Sequence, residues 1–178
     1  MLEGKNVNLR VMEKEDLPLV TKWANDPEFA GEFEPLEQVT REEVEKWHSN
    51  LDSEEKWFMI EKKDGKKIGH IFHSPKGPHY LIGYRLLPSE RSKGYCTEAV
   101  KILVDYLFRV KRIVRIQAET NPRNIASQRV LEKAGFKKEG VIRKSIFIRG
   151  KWEDGVLYSI LREEWDATKV KRPASVKV

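Results

Sequence analysis

The 178 residues are near the usual size of one domain and long enough to bury a sizeable core. One cysteine excludes an internal disulfide framework, four scattered histidines offer no metal-ligand spacing, and no apolar run approaches the ~18 residues that cross a bilayer. The start Met1-Leu2-Glu3-Gly4-Lys5 has no leader-like apolar segment, and the net charge of +6 comes without a basic stripe interleaved with aromatics, so the expectation is a soluble cytoplasmic protein that meets a polyanionic cofactor, not a membrane or a nucleic acid.

Residues 7–11 alternate apolar and polar, which predicts a first strand. After Glu13-Lys14-Glu15-Asp16, the spacing of Leu17, Leu19, Val20 and Trp23 predicts a short amphipathic helix that Asn25-Asp26-Pro27 stops. The loop 28–38 sets Glu32, Glu34 and Glu37 among Phe29, Phe33 and Leu36. It reads either as a solvated acidic loop over tucked aromatics or as a mouth that draws a cationic amine. Thr40-Arg41-Glu42-Glu43 is a capping box, opening a helix that carries Val44, Trp47 and Leu51. Strands follow at 56–62 and 67–73, joined by Lys63-Asp64-Gly65-Lys66, a hairpin signal, with Pro75-Lys76-Gly77-Pro78 as a loop. His70, His73 and His79 fall on different strand faces or in a loop and read as surface or edge histidines.

The stretch Gly83 to Ala99 is the one the rest of the chain is built to hold. A strand over 80–87 passes through a polar turn into a helix over 97–110, marked by Val100, Leu103, Val104, Leu107 and Phe108. A strand that feeds a helix N-terminus leaves backbone N–H groups unpaired beside the positive end of the dipole, which is a site for phosphate. Gly94 lets the backbone approach an anion, and Arg91 and Lys93 add mobile positive charge on either side of Ser92. Residues 112–120 form a buried strand, Asn121-Pro122-Arg123 a turn, and 124–134 a helix closed by Gly135. Two antiparallel strands at 137–148 and 152–161 reverse at Arg149-Gly150-Lys151. The order is β-α-α-β-β-β-α-β-α-β-β in one domain over 1–165. The basic tail 166–178 holds Pro173, lacks an apolar face and is expected to be poorly ordered.

The spacing Arg91-x-x-Gly94-x-Cys96 resembles the pyrophosphate loop of the GCN5-related N-acetyltransferases (GNAT), with Cys96 where Gly or Ala is usual. Two further segments resemble the RimJ/RimL branch of that family. One is Leu9-Arg10 … Glu15-Asp16-Leu17 … Trp23; the other is Asn124-Ile125-Ala126-Ser127 … Leu131-Glu132-Lys133-Ala134-Gly135-Phe136 … Glu139-Gly140 … Arg143. The resemblance spans about Leu9 to Leu161. It implies an α/β fold (α+β in some schemes) in a single domain. Its mixed sheet would have seven strands, mostly antiparallel, flanked by four helices. The fourth and fifth strands would be parallel and splay apart around a bulge in the earlier one. Splayed strands leave N–H and C=O groups that are costly to bury unpaired, and pantetheine would lie between them as a substitute strand. The resemblance further implies acetyl-CoA as cofactor, no metal, and acetyl transfer by direct attack of a primary amine.

On that resemblance the cofactor lies along Leu86, Leu87, Arg91, Ser92, Lys93, Gly94, Tyr95, Cys96, Thr97, Asn124 and Ser127. A backbone N–H at Leu86 or Leu87 would donate to the thioester carbonyl. Asn124 would bond the pantetheine arm, or only cap its helix. Ser127 would point its hydroxyl at the sulfur, or pack as a small residue on the sheet. Glu119 sits where RimI-type enzymes carry their general base; the alternative is an exposed strand-end carboxylate. The tyrosine that supplies the proton in that type falls at Leu131, and a glutamate of some RimL-type members falls near Ile146. Tyr158 or Ser127 must therefore substitute, or the thiolate leaves with solvent help. Trp23, Glu32, Phe33 and Glu34 would wall the acceptor site. An α-amine has a pKa of about 7.7–8, whereas a lysine near 10.4 costs roughly 3 kcal/mol more to deprotonate. A site with one carboxylate thus points to the α-amine of a protein or peptide of the ribosomal-protein type. The alternatives are a small amine (polyamine, aminoglycoside or amino acid) and a CoA-binding module without catalysis; homodimerisation is left open.

Overall fold

The computed structural model describes residues 1–165, so the predicted tail lies outside the described residues. In chain order the elements are β1 (Leu2–Glu3), β2 (Val7–Val11), α1 (Leu17–Ala24), α2 (Pro27–Ala30), α3 (Arg41–Ser49), β3 (Lys56–Lys62), β4 (Lys67–Lys76), β5 (His79–Leu86), α4 (Tyr95–Val110), β6 (Arg115–Thr120), α5 (Ile125–Lys133), β7 (Lys137–Ile148) and β8 (Lys151–Leu161). The strands make one eight-stranded sheet in the order β1-β2-β3-β4-β5-β6-β8-β7. Among the described residues only β5 and β6 pair in parallel. Among the described residues no helix is long and apolar enough to cross a membrane.

Several elements differ from expectation, each for a local reason. The eighth strand is β1, whose two residues pair Leu2 with Leu9 and Glu3 with Asn8; two residues are too few for alternation to register. The Asn-Asp-Pro that ends α1 also opens the extra helix α2. Asp26 Oδ1 accepts from the Glu28 amide at 2.9 Å, and Pro27 occupies the first turn. β4 continues through Pro75, which pairs with Tyr80, because the β3 side of the ladder ends at His73 and the missing N–H is not needed there. β6 begins at Arg115 rather than 112. The Arg162 guanidinium donates to the carbonyls of Phe108, Lys111 and Ile113 at 2.6–2.7 Å and holds that segment as a loop.

Two cores lie on the two faces of the sheet. α4 buries Ala99, Val100, Leu103 and Leu107 against Leu9, Ile60, Ile71, Ile82 and Ile116. On the other face α1 to α3 bring Leu17, Val20, Trp23, Phe29 and Val44 onto Met59. Each Val, Leu, Ile, Phe or Met among them contributes about 1.5–3 kcal/mol on burial. Arg10 ties β2 to the turn before α1 by donating to both oxygens of buried Asp16 at 2.8 and 3.0 Å. Burial opposes ionisation of that carboxyl, but hydrogen bonds from Arg10 and Lys67 outweigh it and hold it down at about 2.

Of the histidines of β4, His73 is interior and His70 half-buried, so neither is an exposed surface group. His73 is 1% exposed, 5.2 Å from the Tyr80 ring, and burial pushes its imidazole down to about 4. His70 lies on the opposite face between Trp57 (5.1 Å) and Phe29 (5.6 Å), and burial pushes it down to about 3. A central strand covered on both faces has no solvent face for the alternation to reveal.

The parallel pair has only two rungs, Tyr80 with Ile116 and Leu81 with Gln117. Beyond them β5 runs on to Leu86 and β6 to Thr120 without pairing to each other. The expected bulge is absent from the earlier strand: its ladder with β4 is unbroken from Gly69↔Leu86 to Lys76↔His79. Gly69 allows that close pairing, since a Cβ there would run into the Arg85 carbonyl.

Candidate active site

Gly94 is the N-cap of α4 in the left-handed region (φ 83), and no side chain caps the helix. The amides of Tyr95, Cys96 and Thr97 therefore lie outside the intrahelical ladder at the positive end of a sixteen-residue helix. A Cβ at Gly94 would meet nothing within 4 Å, so the turn is open on that side, as a diphosphate would need. The flanking side chains are less free than the sequence implied. Arg91 donates through Nε to the Leu86 carbonyl and through Nη2 to those of Glu28 and Phe29, each at 3.1 Å. It pins the turn to α2 instead of reaching for an anion. Lys93 Nζ is held 3.1 Å from Glu90, while Ser92 remains exposed at φ 61.

In the gap between β5 and β6, the two predicted oxyanion donors separate. The Leu87 amide donates to the Ile68 carbonyl at 2.9 Å and is unavailable. Strand alternation turns the Leu86 amide the other way, into the gap. α5 borders the same gap. Asn124 Oδ1 accepts from the Ser127 amide at 3.0 Å, so Asn124 caps the helix. Ser127 Oγ lies 2.9 Å from the Tyr84 hydroxyl.

Tyr158 is not brought to the same place as Glu119. Val156, Tyr158 and Ile160 face the α4–α5 core, and the Tyr158 hydroxyl lies within hydrogen-bond reach of Gln128 Oε1 (3.2 Å) and Glu132 Oε1 (3.1 Å), one of which takes its proton. Ile116 and Ala118 of β6 enter that core too, which places Glu119 on the opposite face. The α1–α3 face thus carries the carboxylate and the α5 face the hydroxyls, with the gap between them.

On the Glu119 face, Gly155 makes room: a Cβ there would overlap the carboxylate and come within 2.6 Å of Ser145 Oγ. Ser145 Oγ is buried and has no hydrogen-bond partner among the described residues. Arg123, four residues past Glu119, pairs with Glu153 at 3.5 Å and lies over the Phe33 ring at 5.4 Å. Arg149 donates to the Gly31 carbonyl at 2.7 Å, tying the acidic loop to the β7–β8 turn. Within that loop Glu32 is exposed, and Glu34 meets Arg85 at 2.9 Å. Burial raises the Glu34 carboxyl above its ordinary value, and Arg85 opposes the rise. Trp23 is 4% exposed and stacks on Phe29 at 5.0 Å, so it supports the wall from within the core without lining it.

The sequence reading missed Tyr84, Arg85, Ser145 and Gly155. Alternation along 80–87 could have found the first two, since it sets Tyr84 on the Leu86 face and Arg85 on the other. Ser145 sits where the β7–β8 register shifts between Ile142 and Ile146, a bulge without a sequence signal.

Residues 6–137 match the family model described as an acetyltransferase (GNAT) domain. The probable N-acetyltransferase YjcK of Bacillus subtilis (strain 168) is 33% identical over 181 residues, covering 92% of this chain and 98% of that protein. A ribosomal-protein alanine acetyltransferase from Vibrio fischeri superposes with a TM-score of 0.79 at 27% identity, covering 92% of this chain and 97% of that one. A spermidine N-acetyltransferase from Vibrio cholerae, solved with CoA and spermine, superposes with a TM-score of 0.82 at 20% identity, covering 90% and 98%; that likeness is one of fold.

Proposed function

The chain belongs to the GNAT acetyltransferase family, and within it we propose that it acetylates the α-amine of a protein or peptide. It is an N-acetyltransferase whose cofactor is acetyl-CoA, which supplies an acetyl group carried on a thioester. The open turn at Gly94 and the unpaired edges beyond Leu81 and Gln117 fit that cofactor's diphosphate and amide-bearing arm. The bare amides of Tyr95 to Thr97 would bind the diphosphate. The Leu86 N–H would donate towards the acyl oxygen, a contact worth about 10²–10³ in kcat where it has been removed elsewhere. Glu119 would accept the proton of the incoming amine, and the Ser127 hydroxyl would donate a hydrogen bond to the departing sulfur.

The observation that supports an α-amine is the engagement of Glu34 by Arg85. It removes one carboxylate from the mouth and brings a guanidinium into its wall. Glu119 and the exposed Glu32 and Glu37 remain, and one amine that ionises near neutral pH asks less of them than several ammonium groups would. Steady-state assays with N-terminal peptides, spermidine, an aminoglycoside and free amino acids test the acceptor. The best peptide should exceed every small amine in kcat/KM by at least about ten-fold, or 1.4 kcal/mol. A small amine ranking above all peptides would overturn the reading.

A further inference from the structure

We propose that Tyr84 is a positioning residue for acyl transfer: its phenol, hydrogen-bonded to Ser127 across the mouth of the gap, holds the Ser127 hydroxyl with its proton turned towards the leaving sulfur. The inference rests on the acetyl-transfer reading and adds to it a residue that the reading did not contain.

The placement follows from the parting of the strands. Tyr80, Ile82, Tyr84 and Leu86 share the face of β5 that packs with α4 and α5. Tyr80 still has a β6 neighbour, Ile116, but at Tyr84 β6 has departed, and the phenol meets α5 instead. Its hydroxyl lies 2.9 Å from Ser127 Oγ and 3.3 Å from the Ser127 carbonyl. A phenol has one proton to give. Donated to the carbonyl, it would leave the serine proton pointing back at the phenol. Donated to the nearer Oγ, it frees the serine proton to face the gap. A departing sulfur, rich in electrons, favours the second arrangement.

The other hydroxyl near α5 cannot do this. Tyr158 is engaged by Gln128 and Glu132, and the side chain at 131 is a fully buried leucine. Burial holds the Tyr84 phenol above its ordinary value, so it remains a neutral donor throughout the working range. Cys96, packed against the same core as Tyr84, is likewise kept as the thiol: burial pushes it up to about 12, against a smaller pull from Arg91.

The test uses the full chain with bound CoA and compares wild type, Tyr84→Phe, Ser127→Ala and the double variant. The first readout is the ultraviolet absorbance of the bound CoA thiolate against pH, a window in which the Cys96 thiol is silent. A serine proton facing the sulfur stabilises the thiolate, so Tyr84→Phe should move its appearance up by about one pH unit. Ser127→Ala should move it at least as far, and the double variant no further than Ser127→Ala. The second readout is kinetic. Tyr84→Phe should lower kcat about ten-fold, with amine KM and acetyl-CoA Kd within about two-fold, and the loss should vanish with a thioester of an acidic aryl thiol. A thiolate shift in Ser127→Ala but not in Tyr84→Phe would overturn the proposal and leave the role of Ser127 standing. No shift in either variant would overturn both. A Tyr84→Phe effect confined to Tm or cofactor affinity, or additive with Ser127→Ala, would make Tyr84 a packing residue and also overturn it.

Discussion

Glu119 carries the sharpest expectation of any single side chain. Replacing it with Gln keeps its size and removes the proposed base, so kcat should fall about 100-fold while acetyl-CoA Kd is unchanged. Unchanged kcat across pH 6 to 9 would make it an ordinary strand-end carboxylate. Gly155→Ala approaches the same group indirectly. The added Cβ would displace the carboxylate, and kcat should drop about ten-fold in a protein that still binds acetyl-CoA. Glu119 could be proposed from the sequence because it precedes Asn124 at a short distance on a resembling motif. The direction of Arg91 was not, since a guanidinium on a flexible stem reaches carbonyls more than sixty residues away in sequence, Glu28 and Phe29, that no local pattern announces.

At the scale of elements, the turn into α4 and the interior of β4 make separate predictions. Gly94 sits at φ 83 in open space, so an added methyl meets no neighbour, and the cost of Gly94→Ala is conformational, about 1 kcal/mol or more. Calorimetry should show acetyl-CoA binding weakened about ten-fold as the turn relaxes; unaltered binding would mean the left-handed cap is not what opens the cradle. On β4, the folded protein keeps His73 neutral down to about pH 4, chiefly by burial, whereas an unfolded chain protonates it near 6.5. Between those values the unfolded state binds more protons, so stability falls as pH drops, by roughly 3 kcal/mol across the window, and above 6.5 the residue adds no pH dependence. His70 acts in the same direction. Urea midpoints for His73→Phe should therefore decline less steeply from pH 6.5 to 4 than those of wild type. Parallel curves would show that the ring is protonated in the folded state. Neither burial could be read from 67–73, because a strand with a core on each face shows the same apolar run on both.

At the scale of the molecule, one sheet separates two chemistries. Its α4–α5 face carries the Ser127 and Tyr84 hydroxyls and buries the larger core; its α1–α3 face carries Glu119 and the loop proposed to wall the acceptor site. Most of the element order was legible because periodicity changes cleanly from 2 to 3.6 around Gly94 and again around Asn124, whereas the parallel pair followed from the family resemblance. The mechanism of parting was not. No bulge interrupts β5, and the pairing stops after Leu81 and Gln117 without a residue pattern to mark it. That opening is the claim on which acetyl transfer depends, and amide hydrogen exchange tests it residue by residue. The Leu87 amide, bonded to the Ile68 carbonyl, should be protected with or without ligand. The Leu86 amide, facing the gap, should exchange rapidly in the free protein and slow by at least about ten-fold at saturating acetyl-CoA. A Leu86 amide already as slow as Leu87 in the free protein, or one that ligand leaves unchanged, would contradict an open gap that the cofactor fills.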